Sequence, residues 1–519
     1  MTTAFDASSP LFHEILALHG KWRKDRDAVI CEDETLSWSA FAAGIHQFGN
    51  ALLAHGIEPR DRVVVLMTNG IEMAQALFGC MPVGCASVPI NLTISDDAIA
   101  AMIRDAGATA IIATGDQAQR IDRIADALGD SPRLFVTTGE PLSGWLGWQE
   151  FLSGAPTSPP AVEVGDDDLL NIIYSSGTTG TPKGIAHTHR GRRDWAYDLA
   201  IALRYHGGAR TLLTIGLYSN ISWVAMLCTL LAGGTIIIQR HFDAHAVLDD
   251  VARLGITHTA MVPIQFQRIV DAFDPARHDV SSMHAMMCCG SPLHEGLKRS
   301  VFEVFPCGVI ELYGLTEGII TTLEPEDAAG RWSSVGKPLI GTDIRILDAD
   351  DNEVPPGEAG EIVSTGRITM PGYLNRPDAN DEATWIDERG RRWLRSGDIG
   401  KLDDEGFLYI VDRKKDMILS GGQNVYPQDI EAVLIGHADV EDVAVIGAES
   451  SRWGETPVAI VVPREGRIDR DELVAWCNAR VGKQQRIADV RTVDALPRNP
   501  NGKILKRELR KTFAPLAYD

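Results

Sequence analysis

The chain has 519 residues, more than one hydrophobic core accommodates, so we expect two or more domains. Its content of 45% hydrophobic and 23% charged residues is ordinary for a soluble globular protein. The formal net charge of −22, from 49 basic and 71 acidic residues, argues against general binding to nucleic acids or anionic membranes.

Cysteine usage and the first residues indicate a reducing compartment. The eight cysteines are scattered and form no Cys-x-x-Cys pair, so neither a zinc site nor a disulfide framework is expected. Met1 to Pro10 lacks the basic-then-apolar pattern of a signal peptide. The long apolar stretch Trp223 to Ile238 is broken by Gly233-Gly234, which predicts a buried helix, a turn and a strand rather than a membrane span. We expect a cytoplasmic protein.

The first half of the chain alternates between helical and strand patterns. This alternation predicts an α/β fold in which a large N-terminal domain of several subdomains combines mostly parallel sheets with helices. The predicted helices are 11–22, 38–55, 71–83, 96–105 and 190–205. The predicted strands are 62–67, 86–90, 108–113, 169–174, 211–217 and 257–262.

The sequence pattern changes in the second half of the chain. Short strands and Gly/Asp turns follow Ile344, and a second alternating unit begins near Tyr409. A charged run, Asp412 to Asp416, separates two apolar runs and is interpreted either as a surface turn or as a joint between domains. Residues 417–519 have the pattern of a small α+β domain.

The stretch Tyr174 to Gly184 combines glycines, five Ser/Thr hydroxyls, one proline and Lys183 behind a buried strand. Glycines let backbone N–H groups approach a ligand, and the hydroxyls and the lysine add donors suited to phosphate oxygens. An ordinary polar loop is the alternative. The familiar nucleotide loop is excluded because it needs Gly-Lys followed by Ser or Thr and a helix, whereas Pro182 precedes this lysine and Gly184 follows it.

Three further motifs follow in order, and together with the loop they carry a family resemblance. They are Tyr-Gly-Leu-Thr-Glu at 313–317, Ser-Gly-Asp at 396–398, and Lys503 within Asn-Pro-Asn-Gly-Lys at 499–503. With these motifs the chain resembles the adenylate-forming superfamily over nearly its whole length. That superfamily contains acyl- and aryl-CoA synthetases, firefly luciferase and the adenylation domains of peptide synthetases.

The resemblance implies a domain division and a set of ATP-binding residues. It implies an N-terminal domain at 1–412 that binds ATP and the acid, a hinge at 413–416 centred on Lys415, and a mobile C-terminal lid at 417–519. The residues implied to bind ATP are Ser175, Ser176, Gly177, Thr178, Thr179, Gly180, Lys183, Gly290, Ser291, Pro292, Glu311, Leu312, Tyr313, Gly314, Thr316, Asp398 and Arg413.

The resemblance also implies individual roles in catalysis. Thr316 would contact the α-phosphate, and Glu317 would ligate the Mg²⁺ that accompanies the triphosphate. Lys503 would reach the carboxylate and the α-phosphate during adenylation. Asp398, assisted by Arg413, would bind the ribose hydroxyls.

In the second half-reaction the resemblance implies that the lid rotates at the hinge. Gly421 and Gly422 would then line the tunnel for the pantetheine arm of coenzyme A.

One segment departs from the family pattern. Many relatives have Pro-x-aromatic-His where this chain has Gly-Leu-Tyr-Ser at 216–219, so a gating histidine is replaced by Ser219. The run Leu217 to Trp223 is similar to bacterial feruloyl-CoA synthetases. We therefore expect the acid to be bound by Tyr218, Ser219, Asn220 and Trp223. The alternatives are that Ser219 is a neutral substitution and that Trp223 only fills the core.

The function predicted from the sequence is that of an AMP-forming acid–CoA ligase with ATP, Mg²⁺ and coenzyme A. Its partners would be small molecules, with a homodimer left open. The favoured acid is a hydroxycinnamate, and a medium- or long-chain fatty acid is the alternative. Since the chain ends soon after the last motif, we expect a free CoA ligase rather than an adenylation module that loads a carrier protein in trans. A luciferase-like oxidase and an inactive regulatory protein are less favoured.

Overall fold

The computed structural model describes residues 9–140, 142–174, 182–420, 423–450, 453–464, 466, 468–498, 502–515 and 518. None of the helices in these ranges is long and apolar enough to cross a membrane.

The described elements alternate along the chain as an α/β protein requires. The helices are α1 (Phe12–Trp22), α2 (Trp38–Ala54), α3 (Ile71–Gly79), α4 (Asp96–Ala106), α5 (Gly115–Arg123), α6 (Trp148–Leu152), α7 (His189–Ala202), α8 (Asn220–Ala232), α9 (Ala244–Leu254), α10 (Pro263–Ala272), α11 (Glu295–Val304), α12 (Pro377–Glu382), α13 (Pro427–Leu434), α14 (Arg470–Asn478) and α15 (Lys506–Phe513).

The strands are β1 (Asp27–Cys31), β2 (Glu34–Ser37), β3 (Arg62–Leu66), β4 (Ala86–Pro89), β5 (Ala110–Ala113), β6 (Leu134–Thr137), β7 (Leu146–Gly147), β8 (Leu169–Tyr174), β9 (Gly184–Thr188), β10 (Arg210–Leu213), β11 (Thr235–Ile238), β12 (His258–Met261), β13 (Ala285–Cys288), β14 (Ile310–Gly314), β15 (Ile320–Leu323), β16 (Lys337–Pro338), β17 (Thr342–Leu347), β18 (Gly360–Gly366), β19 (Gly372–Tyr373), β20 (Thr384–Ile386), β21 (Arg392–Leu402), β22 (Leu408–Arg413), β23 (Ile418–Ser420), β24 (Gln423–Val425), β25 (Val440–Ser450), β26 (Gly454–Pro463) and β27 (Asp489–Thr492).

The chain divides into two compact units, and their boundaries do not follow a single cut. The first unit contains residues 1–332, 338–343 and 365–384. The second contains residues 333–337, 344–364 and 385–519. The segment 365–384 therefore belongs to the first unit although the chain has already entered the second.

The first unit is built on two large sheets. One has eight strands in the order β19-β9-β8-β4-β3-β5-β6-β7. Its strands from β8 to β7 run parallel, while β9 and β19 add an antiparallel edge. The other has nine strands in the order β16-β15-β14-β13-β12-β10-β11-β1-β2, with the parallel run extending from β14 to β1. The prediction of an α/β fold with mostly parallel sheets is confirmed.

The apolar stretch at 223–238 folds as its sequence predicts. Helix α8 is capped at its C-terminus by Gly233, whose φ of 76° lies in the left-handed region that glycine adopts without a steric penalty. Strand β11 follows, and its four residues are all buried. The interruption by two glycines thus converts one apolar stretch into two short buried elements.

One predicted strand is wrong over its second half. Strand β10 ends at Leu213 instead of continuing to residue 217. The reason is Asn69, whose Nδ2 donates to the carbonyl of Ile215 at 3.2 Å and whose Oδ1 accepts from the N–H of Leu217 at 2.9 Å. Because this side chain satisfies the backbone, residues 214–217 need no neighbouring strand.

The second unit contains two smaller sheets. One joins β17, β18, β21 and β20, with β22 paired antiparallel to β21. The other joins β24, β23, β26 and β25, with β27 paired parallel to β26. Helices α13 and α14 contribute Ile430, Leu434, Leu473 and Cys477 to the apolar cluster beside β25 and β26, as the predicted α+β pattern requires.

Candidate active site

Two parallel strands of the nine-stranded sheet end beside each other and carry the predicted adenine walls. Cys288 of β13 pairs with Glu311 of β14, so Gly290 to Pro292 follow one strand end while Glu311 to Tyr313 form the other. Gly290 has a φ of 95°, which disfavours any residue with a Cβ. Strand ends of this kind are where open α/β sheets bind ligands.

Glu311 has a structural partner that its motif did not indicate. Its carboxylate forms an ion pair with Lys298, whose Nζ also donates to the carbonyl of Trp332 at 2.6 Å. Both side chains are buried, and burial raises the pKa of Glu311 while Lys298 opposes the rise. Glu311 thus fixes the strand end through its side chain, and Tyr313 is the more exposed residue of this wall.

The turn between β14 and β15 carries Thr316 and Glu317. It is closed by the N–H of Leu315, which donates to the carbonyl of Ile319 at 2.9 Å. Gly318 has a φ of 116°, and a Cβ there would lie 2.5 Å from the carbonyl oxygen of Ile368. The turn therefore requires glycine at 318, and this requirement fixes where Glu317 projects.

Tyr373 lies between Glu317 and Lys183, and sequence reasoning missed it. Its hydroxyl donates to Oε1 of Glu317 at 2.9 Å. The Nζ of Lys183 lies 4.7 Å from the centroid of its ring. An aromatic residue after Pro371-Gly372 carries no chemical signal by itself, so only the folded chain reveals this arrangement.

The backbone around Tyr373 is held on the edge of the eight-stranded sheet. Tyr373 pairs with Ile185 of β9, and the N–H of Leu374 donates to the carbonyl of Gly184 at 2.7 Å. The amide of Asn380 accepts from the N–H of Tyr373 at 2.7 Å and donates to its carbonyl at 3.1 Å. The ring is therefore placed in register with the strand that follows Lys183.

The predicted phosphate loop lies mostly outside the described residues. Ser175, Ser176, Gly177, Thr178, Thr179 and Gly180 belong to the undescribed range 175–181, whereas Lys183 is described. Tyr174 pairs with Gly184 across the antiparallel strands β8 and β9. The two ends of the loop are thus neighbours on adjacent strands.

The N-terminus of α8 carries the residues predicted to bind the acid. Ser219 is buried and caps the helix, because its Oγ accepts from the N–H of Ile221 at 3.3 Å. Trp223 is fully buried, with its ring centroid 5.9 Å from that of Phe78. These contacts favour the core-filling interpretation of Trp223. Tyr218 is only partly buried, and burial raises its pKa.

Arg192 is a second residue that sequence reasoning missed. It is 1% exposed and makes no ion pair with a described residue. Its Nε donates to Oδ1 of Asn171 at 3.1 Å, and its Nη2 donates to Oδ1 of Asn220 at 2.9 Å. Its guanidinium also lies over the rings of Trp195 and Trp223, at 4.6 and 5.6 Å. Burial lowers the pKa of Arg192 to about 9.

In the second unit, Asp398 and Arg413 face each other on adjacent strands. They are paired residues of β21 and β22, and Nε of Arg413 lies 2.9 Å from Oδ1 of Asp398. Gly397 has a φ of 68°, and its carbonyl accepts from the N–H of Lys414 at 2.9 Å. This geometry explains why the Ser-Gly-Asp motif has glycine in its centre.

Lys503 lies near the same pair of residues. Its pKa is lowered to about 7, first by burial and then by the charges of Arg413 and Lys415, while Asp398 and Asp416 oppose the shift. Two residues after Lys503, the N–H of Leu505 donates to the carbonyl of Pro497 at 2.8 Å. Residues 499–501 of the motif lie outside the described ranges.

Lys415 occupies a turn at the end of β22. The N–H groups of Asp416 and Met417 both donate to the carbonyl of Arg413, at 2.9 and 3.0 Å. Burial lowers the pKa of Lys415, and Arg413 contributes. The predicted CoA-binding residues Gly421 and Gly422 lie outside the described residues, between β23 and β24.

The donor set around Glu317 fits a hard cation that keeps substrate oxygens as ligands. Across the described part of the chain, no cluster of three or more His, Cys, Asp or Glu residues could hold a metal ion by itself. Mg²⁺ is commonly held by one or two carboxylates together with substrate phosphates. The Glu317 carboxylate, with the Thr316 hydroxyl one residue away, supplies oxygen ligands of the required kind.

Comparison with known proteins covers both parts of the chain. The family model described as AMP-binding enzyme matches residues 18–374, and the model described as AMP-binding enzyme C-terminal domain matches residues 429–503. A feruloyl-CoA synthase from Amycolatopsis is 34% identical over 484 residues, which is 92% of this chain and 94% of that protein. The long-chain-fatty-acid–CoA ligase FadD13 of Mycobacterium tuberculosis is also 34% identical, over 93% of this chain and 94% of its own.

A solved structure shares the same fold. It is the o-succinylbenzoate CoA synthetase of Bacillus subtilis in complex with an acyl-adenylate intermediate, which matches with a TM-score of 0.84 and 28% identity over 96% of this chain and 97% of its own. The names of these three relatives specify a feruloyl group, a long-chain fatty acid and o-succinylbenzoate.

Proposed function

Since this chain belongs to the AMP-binding enzyme family and is an AMP-forming acid–CoA ligase that uses ATP, Mg²⁺ and coenzyme A, we propose that its acid is a hydroxycinnamate such as ferulate. In the first half-reaction a carboxylate oxygen attacks the α-phosphorus of ATP, forming the acyl-adenylate and releasing pyrophosphate. In the second, the thiol of coenzyme A loses its proton, attacks the acyl carbon and displaces AMP.

The observation that carries the choice of acid is the bond between Arg192 and Asn220. Because Nη2 of Arg192 donates to Oδ1 of Asn220, the Nδ2 group of that amide is oriented as a donor. Nδ2 makes no hydrogen bond with another described residue. A phenolic or methoxy oxygen on an aromatic acid would accept from it, and the partly buried ring of Tyr218 offers a flat surface nearby in the chain.

A fatty acid is the competing substrate, since the chain is as similar to a fatty-acid ligase as to a feruloyl-CoA synthase. Burying an alkyl chain against an unsatisfied amide donor would cost about 1–3 kcal/mol. A hydroxycinnamate would satisfy that donor instead. The Arg192–Asn220 pair therefore favours the oxygenated aromatic acid.

The roles of the remaining residues are proposed on their chemistry. In the first unit, Lys183 would bind the triphosphate together with the hydroxyls and N–H groups of 175–180, Thr316 would contact the α-phosphate, and Glu317 would hold the Mg²⁺. When bound, that ion would neutralise charge on the departing pyrophosphate. Gly290 to Pro292 and Glu311 to Gly314 would flank the adenine.

In the second unit, Asp398 and Arg413 would bind the ribose hydroxyls, and the cationic Lys503 would stabilise oxygens that gain charge as the new bond forms. We further propose that 413–416 is the joint between an N-terminal domain at 1–412 and a lid at 417–519, with Lys415 as the hinge residue. Gly421 and Gly422 would line the path of the pantetheine arm.

The test is a pyrophosphate-release assay with ferulate, p-coumarate, benzoate, octanoate and palmitate in the presence of coenzyme A. We expect ferulate or p-coumarate to have the highest kcat/KM. An octanoate value tenfold above that of ferulate, which corresponds to about 1.4 kcal/mol, would replace the aromatic substrate by a fatty acid. AMP release that required a carrier protein instead of coenzyme A would indicate an adenylation module.

The Asn220→Asp variant tests the carrying observation directly. Aspartate keeps an oxygen that accepts from Arg192 but removes the Nδ2 donor. We expect kcat/KM for ferulate to fall about tenfold or more while that for cinnamate, which lacks the ring oxygens, stays unchanged. An equal loss for both acids would show that Asn220 acts only on the structure of the helix start.

A further inference from the structure

Tyr373 contacts both Glu317 and Lys183, the residues proposed above to bind Mg²⁺ and the triphosphate. Its hydroxyl contacts Glu317 at 2.9 Å, and its ring faces Lys183 at 4.7 Å. We propose that Tyr373 is a positioning residue that aims the Glu317 carboxylate at the metal and holds Lys183 toward the phosphates. This inference rests on the roles proposed above for those two residues.

The hydroxyl orients the carboxylate without occupying it. An ionised carboxylate has about four acceptor sites, so one hydrogen bond at Oε1 fixes the side-chain rotamer and leaves capacity for a cation. In this 2.9 Å contact the phenolic O–H donates and the carboxylate oxygen accepts. The backbone carbonyl of Glu317 is held from the same segment, because it accepts from the N–H of Met370 at 2.8 Å.

The ring acts on Lys183 by a different interaction. An ammonium group within about 6 Å of a ring centroid is attracted by the negative face of the ring. Lys183 forms no ion pair within the described residues, so no carboxylate among them neutralises its charge. An aromatic face holds an ammonium more weakly than a carboxylate would, which suits a lysine that must exchange this contact for a phosphate.

Backbone hydrogen bonds and strand pairing fix the position of Tyr373. Asn380 binds both backbone groups of Tyr373, and β19 is in register with β9, directly after Lys183. Gly372 has a φ of 154°, and a Cβ there would lie 3.0 Å from Oδ1 of Asn380. Glycine at position 372 thus leaves room for the Asn380 side chain that binds the backbone of Tyr373.

The experiment measures equilibrium binding of ATP by calorimetry, with and without Mg²⁺, in the absence of acid and coenzyme A. Tyr373→Phe keeps the ring and removes the hydroxyl. We expect it to weaken binding of Mg-ATP about tenfold, the scale of one hydrogen bond to a charged group, and to leave binding of metal-free ATP unchanged. Tyr373→Leu removes both interactions and should weaken both kinds of binding.

Two further variants keep the outcome interpretable. Glu317→Asp withdraws the carboxylate from Tyr373 without altering the tyrosine and should reproduce the Mg²⁺-specific loss. Tyr409→Phe is the matched control, since it removes a hydroxyl that donates to Asp403 at 3.1 Å rather than to Glu317. It should leave both affinities unchanged.

A double-mutant cycle completes the test. In a Glu317→Gln background, Tyr373→Phe should have little additional effect, because the interaction that it removes is already changed. Equal weakening with and without Mg²⁺, or full additivity in the cycle, would overturn the positioning role. If Glu317→Gln itself left the Mg²⁺ dependence intact, the role proposed for Glu317 would fail instead, and the two failures are therefore distinct.

Discussion

The candidate groups of the first unit and those of the second hold their positive charges in opposite ways. Lys183 in the first unit faces the ring of Tyr373, and the hydroxyl of that residue donates to the carboxylate of Glu317. Lys503 in the second unit shares its surroundings with two other cations, Arg413 and Lys415, and with the carboxylates Asp398 and Asp416.

The difference shows how surroundings decide what a lysine can do. A lysine on an aromatic face is an anchor whose position is fixed before the ligand arrives. In a partly buried lysine beside other cations, the charged form is destabilised and the pKa is lowered. An anionic ligand attracts the ammonium group and raises that pKa again. The first arrangement suits binding of phosphate, and the second suits a charge that acts only when ATP and the acid are present.

The largest effect expected from this comparison concerns Lys503→Ala. We expect adenylation to fall by about 10²-fold or more, the scale of removing one preorganised charge contact. Thioester formation from supplied acyl-adenylate should remain nearly normal. Rapid-quench measurement of each half-reaction separates the two steps, and an equal loss in both would remove Lys503 from the adenylation step.

A smaller effect is expected for Lys183→Met. The variant should raise the Kd for ATP about tenfold or more, since it removes one charge-assisted bond to phosphate. At saturating ATP its adenylation rate should stay much closer to the normal rate than that of Lys503→Ala. Should Lys183→Met instead lower the saturated rate as strongly as Lys503→Ala does, the contrast between anchor and reacting charge would be wrong.

The pH dependence of adenylation sharpens the contrast further. Lys503 has a pKa of about 7, so its protonated fraction falls as the pH rises through 7. We expect kcat/KM for ATP to decrease above that pH, while kcat holds to higher pH because bound phosphates favour the ammonium form. Lys503→Arg should lack this decrease, because a guanidinium stays charged throughout. A decrease that persisted in the arginine variant would assign it to another group.

The smallest effect is expected from Asp416→Asn. Asp416 is one of the carboxylates that raise the pKa of Lys503, so its loss should move the decrease in kcat/KM to lower pH by less than about one unit, or 1.4 kcal/mol. Arg510→Leu is the control. It breaks the 2.8 Å contact of Arg510 with Asp416 but keeps the carboxylate charge. If both variants shifted the profile downward alike, the local structure rather than the charge would be responsible.

The sequence predicted the fold class and the kinds of chemistry better than it predicted side-chain partners. Helical and strand periodicities depend on neighbouring residues, so α8, β11 and the parallel strands of the first unit could be predicted locally. The second half of the predicted strand 211–217 failed because Asn69, far away in the chain, satisfies its backbone. Local pattern cannot report such a competitor.

The candidate site divides in the same way. The role of Glu317 stays a prediction from its motif, and Gly318, which closes its turn, was not singled out in the sequence. The contacts of Tyr373 and Arg192 could not be predicted, since the partner of each depends on the register of segments that lie far apart in sequence. The motif also gave no sign that the carboxylate of Glu311 would be paired with Lys298.

The return of residues 365–384 to the first unit has a consequence for synthesis. Lys183 and Glu317 leave the ribosome well before Tyr373, and β19 is the last strand to join the eight-stranded sheet. An emerging chain that stops short of residue 373 therefore leaves the edge of β9 uncovered, and uncovered strand edges invite pairing with other chains. We expect nascent chains truncated at residue 360 to recruit more chaperone than chains truncated at residue 390, even though the shorter ones already contain both of those residues.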